Sequence, residues 1–274
     1  MSTETAERDY VLGTHDEEVA RLGVQHRVWR ARALDAWLRA GIGPGQTVID
    51  IGCGPGYASV DLADIVGPAG HVLAVDRSRR FLDTLEQTSA RRGLAQIETL
   101  ELDLDEGELP DVAADAAWSR WVFAFMREPR RLLERVAKRL KPGGCIVLHE
   151  YFDYRTWRVS PRSALFEEMV DVIIETWRES GGEPDIGLDL PRWLVELGFE
   201  LRSLAPVVHV VSPSSFVWQW PKSFIATGVA RLVQLGAFTQ ERGREIHAAF
   251  AACEAAPNTL MITPSVLEII AVRK

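Results

Sequence analysis

Cysteine is scarce in this chain: Cys53, Cys145 and Cys253 are its only three, spread through 274 residues. An odd, widely spaced set offers no disulfide framework and no zinc spacing. It reads as small buried hydrophobes in a reducing cytoplasm. Long apolar runs are lacking as well. Charges interrupt every one of them short of the ~18 residues a membrane span needs, so no membrane partner is expected. The start, Met1 to Asp9, is polar and has no apolar stretch of the kind a secretory signal carries. Positive charge is in deficit, with 31 Lys and Arg against 39 Asp and Glu, a net charge of −8. That balance argues against a grip on nucleic acid, which needs a basic stripe. No histidines and acids stand at metal-ligand spacing, so no metal is expected. Internal repeats and low-complexity linkers are also missing.

What the chain does have is apolar substance: 47% of its residues are hydrophobic, enough for one large α/β domain or a domain with a substantial insertion. Thr14-His15-Asp16-Glu17 reads as a capping box that opens a helix. Val19, Leu22, His26, Trp29, Ala33 and Trp37 form its apolar stripe, and it ends at Gly41. Strand and helix then alternate. Strands are expected at Thr47–Ile51, His71–Val75, Ile97–Leu102, Ala114–Trp121 and Cys145–His149. Between them the pattern predicts helices over Ala58–Ile65, Arg79–Arg92 and Pro129–Leu140. Repeated units of this length imply a mostly parallel, doubly wound sheet. After residue 150 the rhythm changes to helical segments, with two strand-like stretches, Phe199–Val211 and Thr259–Val272, expected as antiparallel strands at the sheet edge.

The most informative stretch is Val48-Ile49-Asp50-Ile51-Gly52-Cys53-Gly54-Pro55-Gly56. An apolar strand ends in an acid, breaks into three glycines and runs at once into a helix. That arrangement brings bare backbone N–H groups up to a ligand. It stands with Val75-Asp76, with Asp103 ahead of Glu108-Leu109-Pro110, and with Leu140-Lys141-Pro142-Gly143-Gly144. With these four signatures at their separations, the chain resembles the class I S-adenosylmethionine-dependent methyltransferases of the small-molecule type. The resemblance is strong over Thr47 to Tyr151 and weaker in the order of elements beyond.

The resemblance implies a Rossmann-like, seven-stranded α/β sheet, with S-adenosylmethionine as cofactor and S-adenosylhomocysteine as product. Residues 1–42 would be a helical lid and 43–274 the methyltransferase domain, with insertions at about 151–190 and 212–258 forming a substrate cap. Gly52 and Gly54 would let the loop lie against the methionine portion, and Asp50 would either fix the loop or meet the ligand's amino group. Gly56 is equally explained by helix–strand packing. Asp76 would accept hydrogen bonds from both ribose hydroxyls, and Arg77 would cover one face of the adenine. Asp103 would take the adenine amine, with Leu104 adding backbone contacts and Asp105 as its competitor. Ser119-Arg120, at the end of the fourth strand, would sit beneath the sulfonium end, with Ser119 the favoured contact. Tyr10, Arg21 and Gln25 are lid candidates, in a pattern that includes Glu18 and Gly23; a solvated, packing helix face is the alternative.

His149 and Glu150 emerge at the carboxyl end of the fifth strand and are candidates for a general base. A structural polar pair is the other reading, and His209 is a distant third candidate. Tyr151, Tyr154, Trp157, Trp218, Trp220 and Phe224 gather in the non-core segments. They fit either an acceptor pocket for an aromatic or polyketide-like molecule or a cap with its own core. The Asn/Asp-Pro-Pro-Tyr/Phe motif of enzymes that methylate nucleobase or amide nitrogens is absent. The expected partner is therefore a small-molecule methyl acceptor, with no nucleic acid; a homodimer stays open. Two other readings compete. A nicotinamide-dependent oxidoreductase would need Gly or Ala where Tyr57 stands. A catalytically silent, methyltransferase-like binding protein would keep the same loop.

Overall fold

The structure is a computed structural model that describes residues 16–274. Thr14 of the predicted capping box lies outside them. The described chain opens with α1 (Asp16–Ala40), followed by β1 (Thr47–Ile51), α2 (Tyr57–Val66), β2 (His71–Asp76), α3 (Arg79–Arg92), β3 (Ile97–Glu101), β4 (Ala114–Arg120), α4 (Pro129–Arg139) and β5 (Leu140–Asp153). The strand β6 (Arg158–Ser160) and the helices α5 (Ala164–Glu179) and α6 (Leu190–Glu196) lead to β7 (Phe199–Val207) and β8 (Val210–Val211). Helices α7 (Gln219–Gln234) and α8 (Gln240–Ala255) and strands β9 (Leu260–Ile262) and β10 (Ser265–Arg273) complete the fold. No helix among the described residues is long and apolar enough to cross a membrane.

The main sheet has seven strands in the order β3-β2-β1-β4-β5-β10-β7. The first five run parallel, and β10 is antiparallel to both neighbours. The two C-terminal stretches are each divided. Their outer pieces, β8 and β9, pair with each other, and β9 also pairs with β6, in a second, three-stranded sheet. Of the two inner pieces, only β7 lies at an edge of the main sheet, because β10 inserts between it and β5. That pairing also explains why β5 is longer than its sequence pattern: β10 gives it ladder partners as far as Asp153. Strand order reverses at β1, which has β2 on one side and β4 on the other. A crevice opens at such a switch point, beyond the carboxyl ends of the strands.

Central parallel strands are covered on both faces, and their side chains alternate between two apolar layers. On one face Val48, Val72, Ala116, Val147 and Ile270 pack with Trp37 of α1 and Leu62 of α2. On the other, Ile49, Leu73, Ile146 and Leu148 meet Leu132, Leu133 and Val136 of α4 in a cluster that continues into the helices after β5. Proline at the start of α4 supplies a favourable first turn. Ser78 and Ser163 cap α3 and α5, accepting hydrogen bonds from Phe81 N and Phe166 N, each at 3.3 Å.

A polar row interrupts the layer beneath α1. Arg120, His149 and Glu268 are register neighbours on β4, β5 and β10. Glu268 is fully buried. It accepts hydrogen bonds from Arg32 Nε and Nη2, at 2.6 and 2.9 Å, from Arg39 Nη2, and from His149 Nε2 at 3.1 Å. Burial alone would raise the pKa of Glu268. The bonds from His149, Arg32 and Arg39 outweigh it and bring the pKa down to about 2. A carboxylate lowered in the fold adds stability that is present above its unfolded pKa and is lost as the pH falls through its folded one. Glu268→Gln is expected to destabilise the chain by about 1–3 kcal/mol at pH 7, since the two half-exposed arginines can regain water. The parent should lose that advantage as pH falls from about 4.5 towards about 2. Urea denaturation of both proteins across this range checks it; equal pH profiles would contradict it.

Candidate functional site

A cavity of about 500 Å³ lies at the carboxyl ends of β1, β2 and β4, within the range of small-molecule and cofactor sites. The loop Gly52–Gly56 forms its floor. Gly52, Gly54 and Gly56 have φ of +65°, +54° and +82°, a region that side chains rarely tolerate. Packing demands two of them. A Cβ on Gly52 would stand 2.3 Å from Val122, and one on Gly56 2.3 Å from Leu85 of α3. Gly54 differs: only Leu22 lies within 4 Å of its missing Cβ, at 3.9 Å. Main chain is therefore laid bare to the cavity at Gly54, as a ligand cradle requires.

Asp76 ends β2 and faces this loop. Its Oδ2 accepts from Gly54 N at 2.8 Å and its Oδ1 from Ser78 N at 2.9 Å. Burial raises its pKa, and the N–H groups of Ser78 and Gly54 pull the other way. Each oxygen retains lone-pair capacity for a ligand hydroxyl. Asp50 is buried beneath the loop and accepts from Ser59 Oγ at 2.6 Å. Burial pushes its pKa up to about 7, against the Ser59 bond and the charge of Arg120. Arg77, Phe81, Leu102, Asp103, Leu104 and Asp105 line the far end. Asp103 Oδ1 accepts from Asp105 N, and Asp105 Oδ1 from Arg127 N, both at 2.9 Å. Both aspartates reach the cavity, so placement alone does not separate them.

Helix α1 supplies a wall through Leu22, Gln25 and His26. Gly23 lets Tyr57 approach: a Cβ there would stand 2.8 Å from the tyrosine oxygen, which donates to Val19 O at 3.1 Å. Of the lid candidates, Gln25 lines the cavity and Tyr10 lies outside the described residues. Arg21 does not line it; its guanidinium donates to Glu18 at 2.6 and 2.7 Å and to Gln25 Oε1 at 3.0 Å. That arginine holds Gln25.

Three expectations are corrected by strand parity and burial. Trp118 and Arg120 line the cavity, so Ser119 between them points to the opposite face, where it is fully buried. His149 is also fully buried, between Trp118 and Trp29, and donates to Glu268. Burial lowers its pKa to about 4, so it is neutral at pH 7. Glu150 faces the other layer, and its Oε1 accepts from Val122 N at 2.8 Å and Phe123 N at 3.0 Å. Neither residue lines the cavity. Both are held by scaffold partners, Glu268 for His149 and the turn at Val122 for Glu150. Glu150 instead fixes the turn that carries Trp121, whose φ is +54°, and Val122. Sequence reasoning preferred Ser119 to its neighbour Arg120 and missed Trp118, Trp121 and His26 as lining residues; once Asp50 was placed, the alternation of β4 was the signal that would have found Trp118 and Arg120.

The aromatics of the segments after β5 mostly pack on one another. Tyr151, Tyr154, Trp157, Trp218 and Trp220 are buried. Trp121 stacks on Tyr151 at 5.2 Å and on Trp220 at 5.3 Å, and Trp218 stacks on Phe250 at 5.8 Å. Phe224 faces a smaller apolar slot of about 50 Å³, with Ile173, Trp177 and Leu232. Phe125 lines both this slot and the large cavity.

A glycine loop at a switch point, with a carboxylate closing the next strand, defines an α/β protein built to hold a nucleoside-type cofactor. Comparison with known proteins is more specific. Residues 48–144 match the family described as "Methyltransferase domain". This segment is a class I S-adenosylmethionine-dependent methyltransferase domain, and the cofactor of the class is S-adenosylmethionine. Among curated relatives, an uncharacterized 37.1 kDa protein in transposon TN4556 of Streptomyces fradiae is 29% identical, covering 61% of this chain and 47% of that protein. Arsenite methyltransferase of Halobacterium salinarum is 28% identical, covering 61% and 40%. The chain thus spans about half or less of these relatives' length. Among solved structures, the [4+2]-cyclase SpnF matches with a TM-score of 0.55 and 19% identity, over 89% of this chain and 80% of that one. At that identity it shows the shared fold.

The assignment of Glu150 has a pH signature. Burial raises its pKa to about 8 despite the N–H groups of Val122 and Phe123. An acid raised in the fold binds a proton that the unfolded chain has released, so stability falls as pH climbs from about 4.5 to about 8. Glu150→Gln keeps a carbonyl acceptor for both N–H groups and removes this slope. It is expected to flatten the decline, as read by denaturant titration between these pH values. An unchanged slope would contradict the assignment.

Proposed function

We propose that this chain transfers a methyl group from S-adenosylmethionine to a small-molecule acceptor. The carrying observation is the bare main chain at Gly54 held against Asp76 at the switch point of the sheet. In this reading Gly52, Gly54 and Asp50 lie along the methionine end, Asp76 accepts the ribose hydroxyls, and Arg77, Asp103 and Leu104 surround the adenine, with Asp105 beside them. Gln25 and α1 act as the lid, and the segments at about 151–190 and 212–258 as the cap.

The bound cofactor supplies an activated methyl group on a sulfonium. What remains for the protein is to orient, enclose and keep dry. Asp76 and the glycine loop set the cofactor's axis. Leu22, Trp118, Trp121, Val122 and Phe125 line the cavity with apolar surface that excludes water. Phe125 opens towards the slot formed by Ile173, Trp177, Phe224 and Leu232. An aromatic or polyketide-like acceptor suits those apolar and aromatic side chains. With His149 and Glu150 occupied in the scaffold, catalysis rests on placement rather than on proton removal by either.

A second reading is a cofactor-binding protein without methyl transfer. It is favoured by the absence of both candidate bases from the cavity and by the shared fold of a [4+2]-cyclase. Incubation with labelled S-adenosylmethionine and a panel of phenolic and amine acceptors separates the two; label transfer supports catalysis, and tight binding without transfer to any acceptor supports the second.

Calorimetry tests the shared premise. S-adenosylmethionine should bind and NAD should not, and Asp76→Ala should weaken binding by about 1–3 kcal/mol, the range for hydrogen bonds to charged groups. Binding of NAD, or unchanged affinity in the variant, would contradict the proposal.

A further inference from the structure

Arg120 closes β4 at the cavity wall, with its guanidinium 5.8 Å from the Trp118 ring and 5.4 Å from the Trp121 ring. Its Nη2 donates to His26 Nδ1 at 3.3 Å. Its Nη1 is buried and has no hydrogen-bond partner among the described residues. Burial lowers the guanidinium's pKa only to about 10, so the charge persists at neutral pH. A dry cation with an unbonded N–H is costly to keep, and an anionic oxygen offsets the cost.

The same side chain is aimed from behind. A guanidinium only donates, so His26 Nδ1 accepts and Nε2 carries the ring proton. Nε2 then donates to Asp61 Oδ2 at 3.0 Å. Asp61 in turn takes a two-pronged contact from Arg30, Nε at 2.8 Å and Nη2 at 3.0 Å. Burial lowers the pKa of His26, which keeps the imidazole neutral and able to accept. Tyr57 stacks over it at 5.8 Å, with the planes 21° apart. Four side chains from α1, α2 and β4 thus form one line that ends at the cavity.

We propose that Arg120 holds the carboxylate of the cofactor's amino-acid end, and that His26, Asp61 and Arg30 position it. This rests on S-adenosylmethionine being the ligand of the cavity. Charge placement supports that choice of ligand atom. The amino-acid end carries a carboxylate and an ammonium side by side. Arg120 offers the positive charge beside Gly52 and Gly54, and the Asp50 carboxyl, whose ionised form Arg120 favours, lines the same end of the cavity. The other arginines of the lining, Arg77 and Arg127, stand with Asp76 and Asp105 towards the adenosine end. A guanidinium also suits a carboxylate geometrically, through paired N–H donors.

The test compares S-adenosylhomocysteine with its decarboxylated analogue by calorimetry, in the parent, Arg120→Gln, Arg120→Lys and Asp61→Asn. The parent is expected to favour the intact ligand by about tenfold or more, as a charge-assisted bond implies. Arg120→Gln should bring the two affinities to within about twofold, and Arg120→Lys should restore part of the preference, since a lysine keeps the charge without the fork. Asp61→Asn leaves Arg120 in place and should reduce the preference about threefold through misaimed His26. A parent that binds neither ligand would overturn the reading of the cavity itself. A parent that binds both equally, or an Arg120→Gln variant that keeps the parent's preference, would overturn the role of Arg120; in the latter case its anion comes from an acidic acceptor. Should Arg120→Gln fail to fold, an unchanged preference in Asp61→Asn overturns the positioning line on its own.

Discussion

Two hydrogen bonds to one carboxylate set the shape of the site. Asp76 accepts from Gly54 on one side and from Ser78 on the other, and so ties the end of β2 to the loop after β1 and to the start of α3. The loop needs such a tie because three of its residues are glycines at positive φ, the least constrained conformers a chain can use. Once it is tied, Val122 and Leu85 fill the spaces at Gly52 and Gly56, and only Gly54 is left open to a ligand. The floor of the cavity is thus fixed before any ligand arrives, and ordering it costs little on binding.

The roof is fixed differently. Helix α1 is joined to the sheet by charge as well as by Trp29, Ala33 and Trp37. Arg32 and Arg39 reach Glu268 on β10, and Arg30 reaches Asp61 on α2. These anchors lie along the middle and later turns. The earlier turns carry Leu22, Gln25 and His26 over the cavity. A helix pinned at one end and resting on the ligand site at the other suits a lid that moves little at its root.

Much of this was legible in the sequence. The βα rhythm, the glycine loop and Asp76 follow from periodicity and from residues with special backbone needs, which are local properties. What escaped was the set of facts that depend on which face of a strand looks where. Ser119 and Arg120 are adjacent, and one-residue parity sends the first into the core and the second to the cavity. His149 and Glu150 stand at a strand end where ligands gather in many α/β proteins, yet Glu268, far away in sequence, captures the first, and the turn at Val122 captures the second. No local pattern announces a partner that arrives on the last strand. The cap aromatics show the same limit: composition marks them as a cluster, but only packing shows that most of them stack on one another.

The central claim is that the crevice floored by Gly54 and Asp76 receives an adenosyl amino acid along its length. A crystal structure of the chain grown with S-adenosylhomocysteine tests this most directly. The account predicts density from Asp103 to Gly52, with the ribose hydroxyls on Asp76 and the sulfur nearest Trp121 and Phe125. Density for the ligand elsewhere on the molecule, or in the crevice with its ribose away from Asp76, would contradict it.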